Sequence, residues 1–226
     1  TSLRSYINIY YNITPRLRFV KSSKCSQNVY NLPIDKSNKM CYNTHIKVVI
    51  ELKVIMISGK AESGKDFVCD VMKHELEQQH RTVLVARFAD YLKFMCRQYF
   101  GWDGNKDEKG RTLLQHIGTG LFRQYDENYF ANRIVELLKV CNIWDYVIIP
   151  DLRFESELHT IHANFDAVAI RVNRDGYFNK LTKEQREDIS ETELDKHPGF
   201  DYTINATDAA EKKQQALMIL EDIING

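Results

Sequence analysis

From about residue 47 onwards, short apolar runs alternate with longer segments whose apolar residues recur three and four apart, the two periods expected of buried strands and amphipathic helices. Residues 48–57 predict the first strand, with its later half the part that enters a sheet. A helix over about 64–80 would place Phe67, Val68, Val71, Met72 and Leu76 on one face. Residues 82–88 predict a second strand, and Leu92, Met95, Cys96 and Tyr99 give helical spacing to 90–100. After a polar, glycine-bearing loop at 101–110, the residues Leu113, Leu114, Ile117, Leu121 and Phe122 predict another helix, and 129–140 a further one. Residues 146–149 form a short apolar strand ending at Pro150-Asp151. A helix over 155–162, strands at 167–172 and 202–205, and a last helix complete the series. In that helix Asp208 and Glu211 are a capping pair, with Ala209, Ala216, Leu220 and Ile223 facing the core.

Strands and helices alternating at these lengths predict a three-layer α/β fold, a parallel sheet covered by helices on both faces. Ligands of such sheets sit at the carboxyl ends of the strands. Residues 59–66, 87–90, 151–153 and 173 onwards are therefore expected to converge on one cleft.

The first strand breaks at Gly59-Lys60-Ala61-Glu62-Ser63-Gly64-Lys65-Asp66-Phe67 and a helical pattern follows at once. The spacing Gly-x-x-x-x-Gly-Lys between a strand and a helix is that of a phosphate-binding loop. Glycines let backbone N–H groups surround an anion, Lys65 adds a point charge, and the helix contributes its unpaired amides and dipole. A glycine turn with a solvated lysine is the plain alternative. Asp66 stands where Ser or Thr usually offers a hydroxyl to Mg²⁺. A carboxylate there suits a hard cation, directly or through water, and it also suits a helix start.

Charge sharpens the division of the chain. The 226 residues carry 31 basic and 31 acidic side chains, but through Lys47 there are eight basic residues and one acid, Asp35. The expected organisation is a basic tail or leader at 1–46, disordered and without sustained periodicity, and a folded domain carrying the phosphate-binding loop at 47–226. The acid-poor tail also fits an organelle transit peptide in part. Five scattered cysteines with no Cys-x-x-Cys pair indicate neither a disulfide framework nor a zinc site, so a reducing, cytoplasmic setting is expected. No apolar run approaches the roughly 20 residues of a membrane span.

A series of further motifs follows in order: Gly110-Arg111-x-Leu113-Leu114-Gln115-x-Ile117-Gly118-Thr119, Arg123, Asp126-x-Asn128-x-Phe130-Ala131, Asp151-x-Arg153-Phe154-x-x-Glu157, and Ser190-Glu191. Together with the loop, these residues resemble the bacteriophage-type deoxynucleoside monophosphate kinases from about Val54 to the C-terminus. Two positions depart from that pattern. Phe130 stands where the family usually has Trp, and Asp188 where a His often precedes Ser190-Glu191; both bear on substrate preference. The stretch Ser63-Gly64-Lys65-Asp66-Phe67 is also similar to animal-type phosphomevalonate kinases.

The first resemblance implies transfer of the γ-phosphoryl group of ATP to a deoxynucleoside monophosphate with Mg²⁺, a task of positioning and charge stabilisation. Residues 59–67 and Arg174 would hold ATP, and Asp66 and Asp151 would serve the metal. Catalysis would fall to Lys65, Arg123, Arg153 and Asp151. Arg111, Arg123 and Arg153 are expected to grip the acceptor phosphate, because guanidinium forks match phosphate oxygens. Arg87 and Lys93 would also meet substrate, and Gln115 and Phe130 the base. Local alternatives exist for several: Arg87 paired with Asp90, Arg153 with Glu157 one turn on, Asp151 as a turn residue.

The polar stretch 174–198 reads as a lid, which would exclude water from the transfer. His159 and His162 share a helix face with Glu155 one turn earlier, a weak metal pattern that a solvated face explains equally. The expected partners are nucleotides, with a homodimer compatible and neither membrane nor nucleic acid expected. A phosphomevalonate-type kinase and a non-catalytic nucleotide-binding protein are the competing readings.

Overall fold

The computed structural model describes residues 52–174 and 181–226. The expected tail at 1–46 lies outside the described residues, as do residues 175–180 of the expected lid. Strand β1 (Lys53–Ser58) is the central strand, because Val54 to Ile57 are apolar on both faces and wholly buried. It runs parallel to β3 (Tyr146–Leu152) on one side and β4 (Asp166–Asn173) on the other. With β2 (Val83–Val85) and β5 (Tyr202–Asn205) at the edges, the order is β2-β3-β1-β4-β5, all parallel. Unbroken apolar runs in the three inner strands are what burial on both faces requires.

The side-chain alternation of β1 sorts the core into two layers. Ile55 and Ile57 pack with Ile148, Ile170 and Ile204 against α1 (Lys65–Gln78) and the C-terminal helix, Ala209–Asn225. Val54 and Met56 pack with Val147 and Ile149 on the opposite face, against α2 (Phe88–Tyr99), a helix at Tyr129–Val140 and another at Glu155–His162. Between α2 and Tyr129 lies α3 (Glu108–Ile117), continued by a π-helical turn at Gly118–Phe122 and a short turn at Arg123–Tyr125. The helices after it are α4 (Tyr129–Val140), α5 (Glu155–His162), the short α6 (Lys183–Glu187) and α7 (Ile189–Thr192), and α8 (Ala209–Asn225).

Several expectations are corrected at this level. Phe67 is exposed and Cys69 takes the inward position on α1, while Tyr99 on α2 is also exposed. On α8 the inward residue of the first turn is Lys212, not Ala209, which faces solvent. The Asp208 cap is present, its carboxylate accepting the Glu211 N–H at 2.9 Å. Strand β3 continues past Pro150 to Leu152, with Met56 opposite Ile149 but Ser58 opposite Leu152. Proline has no N–H for the ladder, and one extra residue on β3 absorbs the gap as a bulge. That bulge brings Asp151 and Arg153 to the strand's carboxyl end. Part of the expected lid is packed: Gln185 is buried and donates to the Glu108 carbonyl at 3.2 Å, and Leu194 is in the core.

Candidate functional site

The loop from Gly59 to Asp66 joins β1 to α1 at the carboxyl edge of the sheet. A Cβ on Gly59 would lie 2.7 Å from the Val172 carbonyl oxygen, and Gly64 adopts φ +94° at the N-cap of α1. Glu62 shares this left-handed region at φ 63°, so the backbone turns tightly around the site that Lys65 enters. Lys65 is buried, and its ammonium donates to the Lys60 carbonyl at 3.2 Å. Burial, reinforced by the nearby charge of Arg153, lowers its pKa to about 8 against the pull of Asp66, Glu191 and Asp151. The buried Ser63 hydroxyl has no hydrogen-bond partner among the described residues. Behind the loop, buried Lys212 donates to the Ser63 carbonyl at 2.7 Å.

A cavity of about 430 Å³ opens from this loop. Ala61, Glu62, Lys65, Asp66, Arg87, Lys93, Arg111, Gln115, Arg123, Phe130, Asp151 and Arg153 all line it, so segments far apart in sequence do converge on one cleft. Of the remaining nominated residues, Gly59, Lys60, Ser63 and Gly64 shape the loop, and Phe67 is exposed on α1. Arg174 reaches the loop from the end of β4, donating to the Glu62 carbonyl at 3.4 Å.

The charges are arranged differently from the local pairs that the sequence suggests. Arg87 pairs with Asp66 at 2.8 Å, whereas Asp90 pairs with Lys93 at 2.8 Å. Burial pushes Asp66 up, but its bond to Arg87 and the charges of Lys65, Arg87 and Lys106 outweigh that and hold its pKa below the usual carboxylate range. Arg153 pairs with Glu191 at 2.6 Å and donates to the Ser190 carbonyl at 3.0 Å. Glu157 instead binds the Arg123 guanidinium, while its Oε2 accepts the Arg153 N–H at 2.9 Å. Burial drives the Glu157 carboxyl up to about 7 despite Arg123. Arg123 lies 3.6 Å from the Phe154 ring centroid and 5.2 Å from that of Phe130, which is itself a buried core residue. Its Nη1 donates to the Glu127 carbonyl at 3.1 Å.

Asp151 has a structural task. Its two oxygens accept the N–H groups of Phe88 and Ala89 at 3.0 Å each, capping α2, and burial raises its pKa against those bonds. Gln115 donates to the Gln185 carbonyl at 3.4 Å, tying α3 to α6. His159 and His162 are exposed, Glu155 pairs with His197 at 3.0 Å, and no group of three His, Cys, Asp or Glu able to hold a metal occurs among the described residues.

Three contributors escape sequence reasoning. Lys106 lines the cavity, and burial together with repulsion from Lys93 and Arg111 lowers its pKa. Its signal was weak: one lysine in a loop just before Gly110-Arg111. Glu191 accepts the Ala61 N–H at 3.0 Å and so touches the loop itself, although sequence marks it only as half of a motif. Lys212 has no sequence signal at all.

The family model described as phosphomevalonate kinase matches residues 57–167. No curated protein matches the chain. Among solved structures, the Mycobacterium tuberculosis APS kinase CysC in complex with AMPPNP and APS is 11% identical, with 78% of this chain and 99% of that chain covered at a TM-score of 0.43. Shikimate kinase from Bacteroides thetaiotaomicron is 12% identical over 76% of this chain and 98% of its own, at 0.41. Shikimate kinase from Aquifex aeolicus is 14% identical over 76% and 99%, also at 0.41. The sheet order and the strand, loop and helix around Lys65 describe a P-loop kinase-like fold. No helix among the described residues is long and apolar enough to cross a membrane.

Proposed function

We propose that the protein transfers the γ-phosphoryl group of ATP to the phosphate of a deoxynucleoside monophosphate, releasing ADP and the deoxynucleoside diphosphate. The observation that carries this reading is one cleft lined by the phosphate-binding loop, by cationic side chains and by apolar side chains. Arg87, Lys93, Lys106, Arg111 and Arg153 supply charge, while Phe88, Leu92, Leu114, Phe130 and Phe154 supply surface suited to a base. An acceptor that carries both a phosphate and a flat ring matches both kinds of side chain. The ordered motifs from Gly59 to Glu191 that resemble the bacteriophage-type kinases support the same acceptor.

In this reading the loop residues 59–67, with Lys65 as the point charge, and Arg174 hold the phosphates of ATP. Arg111 and Arg153 grip the acceptor phosphate, with Arg87 and Lys93 beside them, and Gln115 and Phe130 meet the base. Arg123 adds positive charge from its place between Phe154 and Glu157. The donor set fits Mg²⁺, since Asp66 offers a charged carboxylate in the cleft, and Asp151, which caps α2, lines the same cavity. When bound, the metal neutralises charge on the phosphates. The chain's own cations reduce repulsion between two anionic reactants, and the cleft keeps water from competing with the acceptor.

A second reading, phosphoryl transfer to phosphomevalonate, is favoured by the family match over residues 57–167. ATP consumption measured with each deoxynucleoside monophosphate and with phosphomevalonate separates the two. Turnover of a deoxynucleoside monophosphate is expected. Preference for phosphomevalonate overturns the acceptor assignment, and ATP binding with no acceptor-dependent turnover points to a non-catalytic nucleotide-binding protein.

A further inference from the structure

The segment that follows α6 carries two acids one helical turn apart, Glu191 and Asp195, and both reach the phosphate-binding loop. Asp195 pairs with Lys60 and with Arg171, each at 2.7 Å. Glu191 spans two partners: its Oε2 accepts the Ala61 N–H at 3.0 Å and its Oε1 pairs with Arg153 Nη1 at 2.6 Å. The Ser190 carbonyl accepts from the same Nη1 at 3.0 Å. Ser190, Glu191, Arg153 and Lys65 all line the one cavity. Arg153 Nε and Nη2 have no hydrogen-bond partner among the described residues, so one prong of the fork is held and the rest of it is left for a ligand.

A carboxylate in that place works against binding polyphosphate, because like charges repel strongly in a partly desolvated cleft. What it offers in exchange is order. A guanidinium on a flexible stem must otherwise be fixed at the moment of reaction, and a preset cation needs no such reorganisation. We propose that Glu191 is a positioning residue for the transfer step, holding Arg153 against the phosphate-binding loop so that its free donors meet the transferring phosphoryl group. The inference rests on the phosphotransferase reading but not on which acceptor is used.

Glu191→Gln keeps the side-chain length and an oxygen for the Ala61 N–H but removes the charge that holds Arg153. The expected result is a kcat lower by roughly ten- to a hundredfold, while the Kd for ADP, read by calorimetry, stays unchanged or tightens. The double variant Glu191→Gln with Arg153→Lys should lose little more than the worse single variant, since both act through one contact. Glu187→Gln, an exposed acid on α6, controls for charge removal and should leave both constants alone. An unchanged kcat, weakened ADP binding together with a lower thermal midpoint, or failure of Glu191→Gln to fold each overturns the proposal, the last two in favour of a structural clamp. Because kcat is read with whichever phosphate acceptor the wild type uses, rejection of deoxynucleoside monophosphates refutes only the acceptor assignment. A wild type that consumes no ATP with any acceptor overturns both.

Discussion

Lys212, on the first turn of α8, donates its ammonium to the carbonyl of Ser63 across a sequence separation of 149 residues. The contact is buried, and it fixes the loop from behind at the residue before Gly64. Replacing Lys212 with Met keeps the stem but leaves that carbonyl unsatisfied, which costs about 1–3 kcal/mol. A lower urea midpoint is expected, together with an ADP Kd weaker by roughly tenfold as the loop loosens. Unaltered ADP binding in a destabilised variant would confine Lys212 to stability.

Lys65 links nucleotide binding to pH. Its pKa near 8 in the ligand-free protein follows first from burial and then from Arg153, and a bound polyphosphate supplies the missing counter-charge. ADP binding should therefore take up protons near pH 8 and weaken above it, by at most about tenfold per pH unit. Calorimetry in buffers of different ionisation enthalpy reads the uptake directly, and none at pH 8 would contradict the assignment. The stability effect has the opposite sense. Between about pH 8 and 10.5 the unfolded chain keeps a proton that folded Lys65 has released, so this group makes the ligand-free protein more stable as pH rises through that window.

Lys65→Ala should nearly abolish phosphoryl transfer without unfolding the protein, because in the proposed function it removes the ammonium assigned to the phosphates while the apolar layers on both faces of β1 stay intact. Near-normal turnover in a folded variant would remove the loop from the mechanism.

Asp66 is paired with Arg87, so its removal should have two readable effects. Asp66→Ala is expected to raise the Mg²⁺ concentration needed for half-maximal activity, since an oxygen ligand or its water bridge is lost. It also frees Arg87 in the cleft, and ADP binding without metal should tighten. A Mg²⁺ titration that does not move would leave Asp66 as a helix-start acid and partner of Arg87.

Glu157 gathers the Arg123 side chain and the Arg153 backbone on one buried carboxylate. Glu157→Ala should destabilise the protein by about 3–5 kcal/mol, because it strands the buried Arg123 guanidinium and leaves the Arg153 and Phe154 N–H groups without their acceptor. Urea unfolding measures this, and a loss below about 1 kcal/mol would mean that Arg123 finds another partner.

The features legible in the chain alone are those set by short-range geometry. The Gly59-to-Lys65 spacing, the apolar runs of β1 and β3, the bounds of α4 and α5 and the Asp208 cap each depend on residues a few positions apart, where backbone periodicity fixes what meets what. The convergence of residues 59–66, 87–90 and 151–153 was also legible, because parallel strands bring their carboxyl ends together. Pairing of charge was not. Local spacing matched Arg87 to Asp90 and Arg153 to Glu157, yet the folded chain joins Arg87 to Asp66, Arg153 to Glu191 and Arg123 to Glu157. Once the crossovers stack these segments on one sheet edge, a partner from another strand can approach as closely as one a helical turn away. In the cleft, burial then rewards the pair that satisfies most donors. Lys106 and Lys212 were hidden for the same reason: a lysine in a polar loop or on an amphipathic helix reads as solvated until the tertiary fold covers it.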